Sequence, residues 1–203
     1  MDATPTGWLV FLSQLPSSPS SPRVTLWRRL RTAGATGMLN GSWVLPHTPA
    51  HAQFFEQLQE MVLRNGGSGF VLAVPESSPE TDEAIVQRFR IDRAREYDEF
   101  MERCEAFLME IGKESRAGKF TFAELEETEQ DLKKLARWLA KIQKRDFFPD
   151  DRWSQATDIV ERCRDALARF STAVYEAEKV QEPPRSLAAL PPSQLGERQL
   201  PSG

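Results

Sequence analysis

A single change in the hydrophobic pattern divides this chain near Ser77-Ser78-Pro79. Before it, short apolar runs alternate with amphipathic stretches, whereas after it apolar residues recur at the three- and four-residue spacing of helices. This pattern predicts an α+β protein, since mixed elements precede an all-helical part. We expect an α/β domain at residues 1–76, a helical domain at 77–180 and a disordered, Pro-rich tail at 181–203.

Residues 1–76 are predicted to form a ferredoxin-like domain with the element order β-α-β-β-α-β. Ser21-Pro22 and Thr48-Pro49 mark two helix starts, because each places a capping residue before a proline in the first turn. Gly34 and Gly66-Gly67 mark the helix ends. Apolar runs outside these helices predict the strands, at 8–12, on both sides of Asn40-Gly41 within 38–45, and at 70–74. We expect a four-stranded antiparallel sheet with both helices on one face.

Residues 77–180 are predicted to form a helical hairpin or a three-helix bundle, because short connections favour antiparallel neighbours. The first helix is expected to span about Glu80–Ile111, with Gly112 and Gly118 at its end. Thr121 and Glu124 form a capping box that opens a second helix, which continues to about Lys144. The third is expected at about Trp153–Glu178.

The formal net charge of −4 combines two segments of opposite character. Residues 1–75 carry five arginines and three acidic residues, whereas residues 76–180 carry 19 basic and 25 acidic residues. This asymmetry predicts a first domain that faces anions and a second domain with a solvated helical surface.

The first predicted helix carries the leading candidates for a binding site. Val24, Trp27 and Leu30 recur every three residues and are expected to form the buried stripe, so the arginines would lie outside it. No acidic residue occurs between Ala3 and Phe55 to neutralise them. Arginines in this arrangement suit phosphate contacts, although an ordinary solvated basic face is the alternative. The candidate DNA-binding residues are Arg23, Arg28, Arg29 and Arg31.

A second basic cluster lies on the next long helix. Arginine side chains hold tetrahedral oxyanions well, so this cluster is a candidate oxyanion site. Its members are Arg88, Arg90, Arg93, Arg95 and Tyr97. The alternative is a set of ordinary helical ion pairs, because acidic residues lie three or four positions away along the same helix. Those acidic residues are Asp92, Glu96, Asp98 and Glu99.

The sequence lacks the usual motifs of nucleophilic, phosphate-binding, dinucleotide-binding and zinc-protease sites. His47 and His51 are four residues apart, but Pro49 sets a helix start between them, which favours a polar pair over metal ligands. Cys104 and Cys163 occupy apolar stripe positions, which favours reduced, inert thiols over a redox pair. We therefore predict a non-enzymatic protein without a cofactor or a metal.

The N-terminal residues argue against export and membrane insertion. The apolar stretch Trp8–Leu12 is too short for a signal peptide and follows no basic segment. No apolar run reaches the length of a membrane span. We expect a cytoplasmic protein without a membrane partner.

Several of these segments resemble the N-terminal part of the chromate resistance protein ChrB family. Residues 8–46, WLVFLSQLPSSPSSPRVTLWRRLRTAGATGMLNGSWVLP, are similar in their Trp-led strand, their Arg…Trp-Arg helix and their hairpin ending in Val-Leu-Pro. Residues 120–148 and the pairs Asp92-Arg93 and Glu96-Tyr97 resemble the helical part of that family. The likeness extends from about Trp8 to Tyr175. The first region is also similar to the ferredoxin-like module of phenylacetate-type repressors.

This resemblance implies a transcriptional regulator of chromate efflux operons whose basic N-terminal residues bind DNA. On this sequence the implication falls on Arg23, Arg28, Arg29 and Arg31. Full-length ChrB-like chains continue into a domain associated with chromate sensing, whereas this chain ends in a Pro-rich segment, so sensing is expected to need a partner. We predict a homodimeric DNA-binding regulator linked to chromate or oxyanion resistance. The alternative is an interaction module that binds a separately encoded sensor domain through its helices, without binding DNA.

Overall fold

Residues 7–178 are described by a computed structural model, in which an antiparallel sheet is followed by three long helices. The strands are β1 (Trp8–Gln14), β2 (Thr36–Gly37), β3 (Ser42–Pro46) and β4 (Ser68–Val74). Their order in the sheet is β2-β3-β1-β4, and each adjacent pair is antiparallel. The first strand of the hairpin lies earlier than expected, since β2 is formed by Thr36–Gly37 and not by the residues at 38–39 that precede Asn40-Gly41.

Two helices cover one face of this sheet, as expected. They are α1 (Ser21–Ala33) and α2 (Pro49–Arg64). Leu26 and Leu30 of α1 pack with Phe55 and Leu58 of α2 against the side chains of Leu9, Phe11 and Leu45. The Thr48 hydroxyl accepts a hydrogen bond from the backbone N–H of His51, which confirms Thr48 as the N-cap. Helix α1 begins one residue early, with Ser20 rather than Ser21 at the N-cap position.

The buried stripe of α1 differs from the sequence expectation. Leu26 and Leu30, four residues apart, are buried, whereas Val24 and Trp27 are 48% and 55% exposed. The prediction failed because the apolar residues at 24, 26, 27 and 30 allow two buried stripes, one through 24, 27 and 30 and one through 26 and 30. Only the position of the sheet decides which of the two is buried. As a result α1 presents a tryptophan, together with its arginines, to the solvent.

The remaining chain forms three helices that share one core. They are α3 (Pro79–Arg116), α4 (Phe122–Lys144) and α5 (Asp151–Ala177). Their inward faces contribute Phe100, Cys104, Leu139, Val160 and Phe170 to that core. Helix α3 continues through Gly112, which was expected near its end, and the chain turns at Gly118 with a positive φ. The Thr121 hydroxyl accepts from the Glu124 N–H, as the capping box predicts.

Helix α3 also packs against the second face of the sheet. Trp8 on β1 is almost completely buried, and its ring lies 6.0 Å from that of Phe89 and 5.8 Å from that of Phe148. The Trp8 indole N–H donates to the Asp82 carboxylate at 2.6 Å. The Ser77 hydroxyl donates to the same carboxylate oxygen, and these bonds lower the pKa of Asp82. The first turns of α3 are thereby fastened to the sheet.

The α+β class, the antiparallel sheet and the helical second part are therefore confirmed. The ferredoxin-like assignment and the division into domains stay predictions. The expected tail at 181–203 lies outside the described residues. Within residues 7–178, no helix has both the length and the apolar character needed to cross a membrane.

Candidate functional site

A basic cleft lies where α1, α2 and the C-terminal end of α4 meet. Its volume is about 790 Å³. Among the described residues that line the cleft, none is acidic, and the charged ones are all arginine or lysine. The basic side chains are Arg28, Arg29, Lys141, Lys144 and Arg145. Because no carboxylate lines the cleft, its cations attract anions, and arginine in particular matches the geometry of phosphate oxygens.

Aromatic side chains form part of the cleft wall. The Arg29 guanidinium carbon lies 5.8 Å from the centroid of the Phe54 ring, a cation–π arrangement that restricts where this cation can point. The His51 ring lies edge-on to Phe147 at 5.2 Å. Its Nδ1 lies 2.7 Å from the Pro46 carbonyl oxygen, so Nδ1 carries the proton and donates it there. The cleft therefore combines fixed rings with charged groups.

Arg145 joins the cleft to the helical part of the molecule. It follows α4 and donates to one Glu96 oxygen from Nε at 3.0 Å and from a terminal nitrogen at 2.5 Å. The absence of a side chain at Gly34 allows Arg145 to approach the end of α1, because a Cβ at Gly34 would lie only 2.7 Å from the Arg145 Cβ. Gly34 also has a φ of +84°, which favours glycine. One small residue thus brings the end of α4 against α1.

Glu96 is the centre of an ionic network beside the cleft. It accepts from Arg93 at 3.0 Å and lies 3.6 Å from an Arg31 nitrogen. Arg31 also lies 3.4 Å from Asp92, whose carboxylate accepts from the Thr36 hydroxyl. Arg93 is only 3% exposed, and this burial lowers its pKa while Glu96 opposes the shift. The network connects α1, the sheet, α3 and the end of α4.

The four arginines predicted to bind DNA are divided by the structure. Arg28 and Arg29 line the cleft, whereas Arg31 belongs to the ionic network. Arg23 donates to the Ser17 carbonyl at 2.6 Å and lies at a separate, smaller notch on the other flank of α1. Two predicted residues therefore lie in one site, and the other two do not.

Three basic residues that complete the cleft were not predicted from the sequence. Lys141, Lys144 and Arg145 end a helix of alternating charge, a pattern typical of a solvated surface. The excess of basic residues in the segment Lys141–Arg145 was the available signal. Basic residues at the C-terminal end of a helix are equally well explained by their attraction to the negative end of the helix dipole. Only the packing of α4 beside α1 therefore identifies this segment as part of a site.

The second predicted cluster does not form a single pocket. The Arg88 Nε donates to the Gly37 carbonyl at 3.2 Å, Arg93 is buried in the ionic network, and Arg95 is exposed. The Tyr97 hydroxyl donates to the Asp146 carboxylate at 3.0 Å. Burial and this carboxylate raise the pKa of Tyr97. Arg90 lies half-buried on the same helix. The contacts of Arg88 and Tyr97 join α3 to other elements, whereas the Arg93–Glu96 pair is a helical ion pair of the kind that the alternative describes.

The cysteines and histidines occupy the positions expected from the sequence. Cys104 and Cys163 face one another in the core of the three helices, with the Cys163 Sγ 3.7 Å from the Cys104 carbonyl oxygen. The hydrogen bond between the two thiols and burial raise the pKa of Cys104, whereas the same hydrogen bond lowers the pKa of Cys163. His47 is exposed and His51 is bonded to Pro46. Residues 7–178 contain no group of three or more side chains suited to holding a metal.

A second groove lies between α3 and α4, with a volume of about 740 Å³. Phe107, Ile111, Leu135 and Trp138 give it an apolar floor. Five carboxylates line it against two cations, Arg103 and Lys134. The carboxylates belong to Glu110, Glu114, Glu124, Glu127 and Asp131. The basic cleft and the α3–α4 groove therefore have opposite charge.

Comparison with known proteins gives consistent matches. The family model described as "Protein ChrB, N-terminal" matches residues 23–181, which include both grooves. A curated relative, Protein ChrB of Cupriavidus metallidurans, is 28% identical over 153 residues. The match covers 74% of this chain and 43% of that relative, so the chain spans less than half the length of the relative.

Proposed function

This chain belongs to the ChrB family through the N-terminal region of that family, and from this we propose that it is a non-enzymatic DNA-binding regulator linked to resistance to chromate or related oxyanions. The observation that carries the proposal is the basic cleft. Its five cations come from two segments far apart in sequence, residues 28–29 and 141–145, and only folding brings them together. A surface that is basic merely for solubility does not need this convergence.

The chemistry of the cleft suits a phosphate backbone. Each cation that neutralises a phosphate releases condensed counterions, so affinity would be strongly dependent on salt. Such contacts position the protein on DNA without reading its sequence. The carboxylates of the α3–α4 groove repel phosphates, which carry the same sign of charge. The attraction of DNA to this protein is therefore confined to the region of the basic cleft. We propose that a homodimer sets the spacing of two such contacts on an operator.

The test compares two double variants that remove the same charge. Arg28→Ala with Arg29→Ala removes two cations from the cleft. Lys133→Ala with Lys134→Ala removes two from the exposed face of α4, where they pair with Glu129 and Asp131. Binding to fluorescein-labelled DNA from upstream of the protein's own gene, and to a mixed-sequence duplex, is measured by anisotropy over a range of salt concentrations.

We expect the cleft variant to bind both duplexes more weakly and to reduce the slope of log affinity against log salt by about 2, one unit for each lost phosphate contact. The α4 control should keep the wild-type slope. Lys141→Ala with Lys144→Ala should behave like the cleft variant, although sequence reasoning did not select these residues. Equal slopes for cleft and control variants, or wild-type binding that is insensitive to salt, would contradict the proposal.

The acidic α3–α4 groove favours a second candidate function, the docking of a separately encoded sensor domain. Its apolar floor and its carboxylates suit a basic amphipathic segment. The probe is the part of the Cupriavidus metallidurans relative that this chain does not match, expressed separately. Calorimetric binding that is lost in Glu124→Lys with Glu127→Lys, but retained in Arg28→Ala with Arg29→Ala, would support this function. Absence of heat with the wild-type chain would count against it.

A further inference from the structure

We propose, on the basis of the DNA-binding function proposed above, that the notch on the other flank of α1 accepts one unstacked nucleobase, which stacks on Trp27. This assigns a ligand class to a site separate from the basic cleft. The bound nucleic acid would then be one with an unpaired or extruded base, and not only a regular duplex.

The notch has the size and the walls for such a ligand. Its volume is about 180 Å³, enough for one aromatic base but not for a base pair. Trp27 and Leu26 of α1 line it together with Trp43 of β3 and with Gly41. Trp43 also packs against the core under α1, which fixes one wall. Two indoles at one notch provide the apolar, planar surface on which bases stack.

The exposure of Trp27 lacks a structural reason within the described residues. Leu26 and Leu30 already supply the buried face of α1, so Trp27 with 55% of its surface exposed adds little to the core. Among the described tryptophans, those at positions 8 and 138 make ring contacts with phenylalanines, whereas Trp27, like Trp43 and Trp153, does not. Large apolar groups exposed in this way commonly belong to contact surfaces. On a helix that also carries cleft arginines, the matching contact is a base.

Arg23 supplies a polar group at the rim. One of its terminal nitrogens donates to the Ser17 carbonyl at 2.6 Å, which holds the guanidinium in place beside the notch. A guanidinium has five N–H donors, so others are left for a base edge or a flanking phosphate. Arg23 thus has a function that does not require it to reach the cleft.

The notch and the cleft lie on opposite flanks of α1, so one nucleic acid strand can occupy both. A helix with its side chains is about 10–12 Å across. A strand rises about 3.4 Å per nucleotide, so crossing α1 takes roughly three nucleotides. Phosphates at Arg28 and Arg29 would then place a base about three nucleotides away at Trp27. Because a base in a regular duplex must first be unstacked, the notch should favour DNA in which that cost is already low.

The experiment compares a mixed-sequence duplex with the same duplex carrying a single bulged 2-aminopurine. Proteins measured are the wild type, Trp27→Ala, Trp27→Phe and Phe70→Ala. Phe70 is an exposed aromatic residue on β4, so its variant controls for general loss of apolar surface. Both positions changed, Trp27 and Phe70, are exposed, so the variants should fold, which circular dichroism checks. The measurements are anisotropy and the fluorescence of the 2-aminopurine on binding.

We expect the wild type to bind the bulged duplex about 5- to 100-fold more tightly than the regular one and to quench its 2-aminopurine, as expected for one base–aromatic stack. Trp27→Ala should lose this preference and the quenching while binding the regular duplex as before. Trp27→Phe should retain part of both, and Phe70→Ala all of both.

The outcomes separate this inference from the proposed function. If Trp27→Ala keeps the wild-type preference and quenching, the notch is not a base site, whereas DNA binding by the cleft stands. If Arg28→Ala with Arg29→Ala weakens binding to both duplexes but keeps the preference for the bulged one, and Trp27→Ala loses only that preference, both hold. If the wild type binds neither duplex, both are overturned.

Discussion

At the scale of single residues, the ionic network depends most on Glu96. Three arginines from three elements contact its carboxylate, and Arg93 among them is almost completely buried. Removal of the negative charge leaves a buried cation without its partner, which is far more costly than loss of an exposed ion pair. We expect Glu96→Gln to lower the free energy of unfolding by about 3–5 kcal/mol, measured by urea denaturation.

The control for this change is Glu99→Gln on the exposed face of the same helix. It should alter stability by no more than about 0.5 kcal/mol. If the two variants are equally stable, Glu96 does not balance the buried arginine.

The sequence could suggest Glu96 only as one of several helical ion-pair partners. Arg93 lies three residues away on the same helix and was within reach of prediction. Arg31 and Arg145 are 65 and 49 positions distant along the chain, and local pattern gives no information on contacts at such separation. The same limit explains Trp27, whose exposure depends on which flank of α1 meets the sheet.

At the scale of elements, the contact between the end of α1 and the end of α4 forms one side of the cleft. Gly34 and Gly66 were both predicted as helix ends, and both have positive φ values, of +84° and +70°. Only Gly34 has a close neighbour: a Cβ would meet the Arg145 side chain and carbonyl, whereas nothing lies within 4 Å of a Cβ at Gly66. A comparison of substitutions at the two glycines therefore distinguishes the cost of backbone strain from the cost of close packing.

Alanine substitution at the two positions should therefore have unequal effects. Gly66→Ala should cost only the left-handed strain, about 1–2 kcal/mol. Gly34→Ala should cost about 1–3 kcal/mol more, because the added methyl overlaps the end of α4. It should also weaken DNA binding by displacing Arg145. Thermal and urea denaturation give the first comparison and anisotropy the second; equal stabilities would show that α1 and α4 adjust without cost.

Helix and strand types were predictable where local signals agree with burial. The caps at Thr48 and Thr121 are confirmed because the hydroxyl that favours each helix start in a peptide also makes the bond in the protein. Gly112 failed as a helix end because tertiary packing of a long helix overrides the modest cost of one internal glycine.

At the scale of the whole molecule, three buried clusters hold residues 7–178 together, and one of them lies between the sheet and α3. Trp8 and Val44 from the sheet pack there with Ile85 and Phe89 from α3. A sheet region separated from α3 would expose Trp8 and leave its indole N–H without Asp82. We therefore expect residues 7–178 to unfold in one cooperative transition.

Two spectroscopic probes test that expectation. Far-ultraviolet circular dichroism reports mainly on the helices, and fluorescence reports on tryptophans in both parts, at positions 8, 27, 43, 138 and 153. The two urea midpoints should coincide. Separate midpoints would mean that the sheet and the helices unfold independently, as the division at residue 76 predicted from the sequence would allow.

The burial of Trp8 has a consequence for synthesis on the ribosome. Its partners Asp82, Phe89 and Phe148 are all translated later, the last of them 140 residues afterwards. At about 5–20 residues per second, the first strand waits roughly 7–28 seconds for its complete surroundings. During that interval Trp8 lacks the partners that bury it, whereas Leu9 and Phe11 on the opposite face of the same strand can already pack against α1 and α2.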